Sequence, residues 1–330
     1  MSMMPIRPRS AAALVCGLLM STAVQAAAAP PPPAPAAPPA HAAPPSATGR
    51  MMPLDITRPL AADGSVRIDN GAGSIRVIAW NRPEVRVVGE PPAAARAPEI
   101  ESDARHFALR IRSKVERCWL LFACSQNLLP VRLTAYVPRG ARLTLHSVSA
   151  DAGVQGMQGP RLDVDTVSGA LQVTQSAFAA AWLHSVSGGM RVDARIGRLN
   201  ADSVSGDVRV PASACTHAQV TTISGEVDLG CANVASARLK SVSGDLTLRT
   251  TGLAPGGEVS LNTVSGDARL QVPPGVSARL DLGSVSGSIG GALPPGVTVR
   301  EHSVSGRYGS GDGSIHVGTV SGDIRMVQGG

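Results

Sequence analysis

Four carboxylates recur at one place in a repeating tetrapeptide. Asp207, Glu226, Asp245 and Asp267 each follow a unit of the form [Ser/Thr]-[Val/Ile]-Ser-Gly, and Ser288, Arg307 and Asp323 hold the same position in later copies. Were the units stacked as neighbouring strands, about 4.8 Å apart, these side chains would form an outward column. Carboxylates at that spacing could hold Ca²⁺, which takes several oxygen ligands, so the four acids are a weak candidate calcium site. They could also act as a glycosidase pair, since retaining enzymes hold two carboxyls about 5–5.5 Å apart. A simpler reading is that Asp suits a polar corner and satisfies local backbone groups there; this is the one expected. No HExxH, GxSxG or nucleotide-type glycine motif stands nearby, so no catalytic residue and no cofactor is expected.

The third position of the tetrapeptide is serine in every copy from Ser149 to Ser321. A hydroxyl ladder could face a sugar polymer or ice, but ice binding wants a Thr-rich face and most units open with Ser. Satisfying corner backbone groups is the expected role. His146, His184 and His302 each precede a unit, too far apart along the repeat to share a metal, and read as surface side chains. Cys118-Trp119-Leu120-Leu121-Phe122-Ala123-Cys124 is the one dense aromatic and apolar stretch. Closed by a disulfide, it would be a stapled loop presenting Trp119, Leu120, Leu121 and Phe122 to a partner or a membrane surface. Packing over the first repeat is the expectation.

The elements that position these residues follow from the repeat. The units start at Ser147, Thr166, Ser185, Ser203, Thr222, Ser241, Thr263, Ser284, Ser303 and Thr319, at steps of 16 to 22 residues and most often 19. Self-similarity at a fixed short period marks a solenoid. Alternating runs flank each unit, such as Leu162-Asp163-Val164 before and Val208-Arg209-Val210 after, and such alternation is a half-buried strand. Glycine would turn the corner by tolerating unusual backbone angles. The expected fold is all-β: a β-solenoid of about ten consecutive rungs over residues 141–330, with aliphatic ladders inside and little room for rings. Cys215 and Cys231 fall in the loops of consecutive rungs, within reach of a disulfide, which leaves Cys118 and Cys124 to pair locally.

Residues 50–140 read as a β-rich cap covering the open end of the solenoid. Within it, Ser65 to Val77 looks like two strands around an Asn70-Gly71 turn. The stretch DGSVRIDNGAGSIRVIAWNRPEVRVVGE, the later VRLTAYVPRGARLTL and the serial SVSGD units resemble the bacterial putative-adhesin β-strand-repeat family of unknown function. The resemblance spans about residues 55–330. It implies an exported β-repeat protein of the cell envelope and supplies no active-site residues.

Arg7 and Arg9, the apolar run Ala11 to Met20 and the small residues before Ala27 read as a secretory signal peptide cleaved after Ala26. Residues 27–49, almost only Ala and Pro, read as an extended, disordered linker. No second apolar stretch long enough to span a bilayer follows. An aromatic content of 2% gives no stacking platform for single strands. A net charge of +6 falls short of a nucleic-acid footprint, and export makes that partner less expected still. The balance is +5 over residues 50–140 and −1 over 141–330. The function expected is a non-enzymatic envelope protein with an adhesive, structural or scaffolding role, located in the periplasm or on the cell surface. Its partners would be envelope glycans or other envelope proteins. The alternatives are a polysaccharide-acting β-helix enzyme and a periplasmic partner in envelope stress sensing.

Overall fold

The computed structural model describes residues 53–91, 97–111, 114–120, 123–213 and 215–329, without the side chains of 114–120, 123–128, 212 and 213. The expected signal peptide and Ala/Pro linker, and the loop residues Leu121 and Phe122, lie outside the described residues. So do the side chains of Cys118, Trp119, Leu120 and Cys124.

Every regular element described is a β-strand, and most of them stack in parallel as a solenoid-like coil. The alternation of each strand fixes which side chains enter the core. In Met190–Ser203, Met190, Val192, Ala194 and Ile196 are buried while Arg191, Asp193 and Arg195 face out. Registered neighbours then build ladders. Leu143, Leu162, Ala181, Leu199 and Ala218 stack one on the next, and all are buried. Large and small side chains alternate over much of that ladder, which lets neighbours at β spacing interlock without voids. Among the described residues Phe107 and Phe178 are the buried rings, in keeping with a narrow interior.

Two sequence expectations are corrected at the ends of the stack. Ser65–Trp80 is one continuous strand, not a hairpin. It lies parallel between Arg142–Gln155 on one side and the pair His106–Ile111 and Val131–Pro138 on the other. Asn70 is the reason. It is buried, registers with Ser147 and donates its Nδ2 to the Val131 carbonyl at 3.1 Å, so Asn-Gly marks a corner of the coil and not a chain reversal.

The repeats are also not consecutive at the far end. Gly313–Thr319 lies between Leu246–Asn262 and Ala278–Ser284, and Ile324–Gln328 lies between Ala268–Val272 and Ile289–Gly291. The unit at Ser303 forms no parallel rung: Ser303–Tyr308 runs antiparallel to Ala278–Ser284. The tetrapeptide corners therefore stack in the order Ser147, Thr166, Ser185, Ser203, Thr222, Ser241, Thr263, Thr319, Ser284.

Both ends close alike, with antiparallel strands over the outermost parallel rung. At the first end these are Glu84–Gly89, Glu99–Ser102 and Leu54–Pro59; at the other, Ser303–Tyr308 and Thr298–Arg300. A parallel rung left open would present unpaired backbone groups to other chains. The strands Lys114–Leu120 and Ala123–Leu128 form a separate two-stranded sheet in which Cys118 and Cys124 are register partners.

Candidate functional site

The corner assigns a distinct task to each residue of the tetrapeptide. The first, Ser or Thr, is buried in every stacked corner from Thr166 onward and half-buried at Ser147, and it ties the turn together. Ser185 Oγ donates to the Gly188 carbonyl at 2.7 Å and accepts the Gly188 amide at 2.9 Å. Ser203 does the same with Gly206 at 2.7 and 2.9 Å. Thr263 and Thr319 reach across rungs, donating to the carbonyls of Gly244 and Gly266 at 3.2 Å. Leaving such buried groups unpaired would cost about 1–3 kcal/mol each. Sequence reasoning dwelt on the third serine and missed this hydroxyl; its restriction to Ser or Thr in every copy was the available signal.

The third serine serves the preceding rung. Ser168 donates both its amide, at 2.9 Å, and its Oγ, at 3.1 Å, to the Val148 carbonyl. Ser187 repeats this toward Val167 at 2.8 and 3.1 Å.

The glycine is required for a reason other than the one expected. None of these corner glycines has a positive φ. A Cβ on Gly188, Gly206, Gly225 or Gly244 would instead fall closer than 3.0 Å to the carbonyl oxygen of the glycine one rung before. Close backbone approach, not backbone angle, excludes a side chain there.

The acidic column ties rung to rung. Asp207 Oδ1 accepts the Glu226 amide at 3.0 Å, Asp245 Oδ1 the Asp267 amide at 2.8 Å, and Asp267 Oδ1 the Asp323 amide at 2.8 Å. Asp323 Oδ1 accepts both the amide and the hydroxyl of Ser288 at 2.9 Å, which holds this carboxyl below the usual carboxylate range. Arg209 adds ion pairs to Glu226 at 2.9 Å and Asp207 at 3.0 Å, and both acids push its pKa up. Among the described residues, no three or more His, Cys, Asp or Glu side chains group so as to hold a metal ion.

The histidines do not meet one another, yet two of them have partners that the repeat spacing did not reveal. His146 Nδ1 lies 2.9 Å from Asp165, and His184 Nδ1 lies 3.2 Å from Asp202, each acid on the next rung. His302 faces the Gly287 carbonyl at 3.3 Å. Cys215 and Cys231 are joined by a disulfide, with Cα atoms 5.1 Å apart.

The second tetrapeptide position stands apart, because its backbone joins the rung-to-rung bonding while its side chain stands out toward solvent. Val148, Val167, Val186, Val204, Ile223, Val242, Val264, Val320 and Val285 stack along one edge, and their exposures run from 42% to 68%. Single exposed aliphatics are ordinary on protein surfaces. An unbroken file of β-branched ones, about 38 Å long at strand spacing, is a continuous apolar ridge.

Coil, corner and ridge together define an all-β, solenoid-like repeat protein. The family model described as Toastrack DUF4097 matches residues 141–254 and 193–326. The chain belongs to the Toastrack DUF4097 family. Two solved structures share its fold. One is a putative adhesin from Parabacteroides merdae, with a TM-score of 0.55 at 12% identity over 85% of this chain and 98% of that one. The other is a putative lipid binding protein from Parabacteroides distasonis, with a TM-score of 0.52 at 12% identity over 85% and 98%. Among curated proteins none matches.

Proposed function

We propose that this chain is an exported, non-enzymatic protein of the cell envelope that binds extended partners along its corner ridge, in an adhesive or scaffolding role. The ridge carries the reading: an exposed Val or Ile on every stacked tetrapeptide corner, forming a continuous apolar file on the surface. Each contact would be weak, and many in register would supply affinity by avidity. The Cys215–Cys231 disulfide suits an oxidising compartment. The basic, apolar and small-residue order of residues 1–26 supports export. A non-enzymatic role accords with carboxylates that accept backbone amides as a structural ladder.

The test is display of the protein on a non-adherent bacterium and adherence to a surface coated with envelope polysaccharide from the source cells. Replacing Val186, Val204 and Ile223 together by Lys is expected to abolish adherence while leaving the thermal melt unchanged. Adherence that survives the triple substitution overturns the reading. Protease shaving of intact source cells, scored for peptides from residues 141–330, locates the coil outside the cell or behind an outer membrane.

A further inference from the structure

One groove on the flat face before the corner has a composition unlike the rest of the coil. Asp163, Trp182, Asn200, Gln219 and Arg238 register in one column over successive rungs. Arg198, His217 and Ser236 form the column beside it. Between them lies a cavity of about 300 Å³ lined by Trp182, Arg198, Asn200, His217, Gln219 and Arg238. That volume is at the lower end for ligand pockets.

The walls are held in place from outside the groove. The Arg161 guanidinium stacks 3.7 Å from the centre of the Trp182 ring and is anchored by Asp163 at 2.6 Å. Arg238 is held by Glu258 at 2.7 Å. Arg198 is different: it makes no ion pair among the described residues. Asn200 keeps a buried Oδ1 with no donor, an uncommon state for a folded amide. The groove thus combines an aromatic wall, two planar amides and an uncommitted guanidinium.

We propose that this groove binds a carboxylated sugar unit of an acidic polysaccharide. The Trp182 ring offers an apolar surface to a pyranose ring, and Asn200 and Gln219 supply the donors and acceptors that hydroxyls need. Arg198 matches a carboxylate in the forked geometry peculiar to guanidinium. The inference deepens the envelope-binding reading above and rests on it, while its residues lie on a different column from the ridge.

Titration calorimetry on the purified disulfide-bonded protein tests it, with trigalacturonate as ligand and its methyl ester as control. The acid form binds and the ester binds about tenfold more weakly or worse. Arg198→Gln weakens the acid form by about tenfold with no change in melting temperature, and Trp182→Ala does likewise. Should Trp182→Ala fail to fold, the ester and Arg198→Gln still decide the matter. No binding of trigalacturonate at about 1 mM, or equal affinity of the wild type and Arg198→Gln, overturns the groove. Such a failure with ridge-dependent adherence intact leaves the adhesive reading standing. Trigalacturonate binding alongside adherence indifferent to the ridge substitutions overturns the ridge instead.

Discussion

Asp245 accepts the backbone amide of Asp267 at 2.8 Å across a gap of 22 residues in the chain. Asp267 does the same for Asp323 across 56 residues. The second link is possible because the rung of Thr319 sits on the rung of Thr263. A carboxylate in this column is a clamp between layers, and its acceptor oxygen matters more than its charge. Asp245→Asn, which keeps an oxygen at that place, should melt within a degree or two of wild type, whereas Asp245→Ala should melt about 2–4 °C lower, the loss of one hydrogen bond at this chain length. Differential scanning calorimetry separates the two, and equal losses would show that charge was the active ingredient.

Asp323 makes the clamp sensitive to acid. Its carboxyl is held below the ordinary value of 3.8 by the Ser288 amide first, then by the Ser288 hydroxyl, and by Arg325 nearby. A depressed folded pKa contributes stability that is present above the unfolded value and lost as pH falls through the folded one. Asp103, held down by the amides of Arg105 and His106, and Asp55, held down by Arg86, act in the same direction. The melting temperature should be flat from neutrality to about pH 4.5 and fall below about pH 4. Asp323→Asn should shallow that fall, and an unchanged slope would remove Asp323 from the account.

Glycine 225 permits no side chain, since a Cβ there meets the Gly206 carbonyl at less than 3.0 Å. Gly225→Ala should therefore destabilise by about 1–3 kcal/mol or more, as forced overpacking does. Gly283 has open space where its Cβ would stand and no positive φ, so Gly283→Ala should stay within about 0.5 kcal/mol of wild type. Urea unfolding of the pair gives the comparison, and similar midpoints would refute the close-approach argument.

The Cys215–Cys231 bridge closes a loop of 16 residues, for which loop-closure entropy in the unfolded chain amounts to about 3 kcal/mol. Cys215→Ala with Cys231→Ala should lower the unfolding free energy by about 2–4 kcal/mol, and reduction of the wild type should approach the same value. A double variant as stable as the oxidised protein would mean that the parallel register alone holds these two rungs.

Much of the fold was legible because its rules are local. Alternation around Val208-Arg209-Val210 gives strands, and the recurring Ser-Val-Ser-Gly gives their stacking. The identity of each corner task was less legible. Ser185 and Ser187 are the same residue type two positions apart, and only burial shows that one closes its own turn and the other serves the rung before. Stacking order was hidden for a different reason. Nothing in Gly313–Thr319 distinguishes a strand that follows Ser303 in space from one that slips in after Leu246–Asn262, because every rung offers the same pleated edge. Trp182 and Arg198 were passed over because a side chain on a flat face carries no motif; its neighbours come from rungs about nineteen residues away in either direction.

The inward placement of Gly313–Thr319 and Ile324–Gln328 bears on how such a chain is made. A repeat array laid down in chain order can begin folding on the ribosome or at a translocation pore and lengthen as it emerges. Here Ala268–Val272 and Ala278–Ser284 have no neighbour on one side until the last strands are synthesised, and the terminal rung has nothing to rest on before then. Folding of this end is therefore coupled across the chain: Ala268–Val272 and Ala278–Ser284 each gain one parallel neighbour from strands made some 35 to 56 residues later.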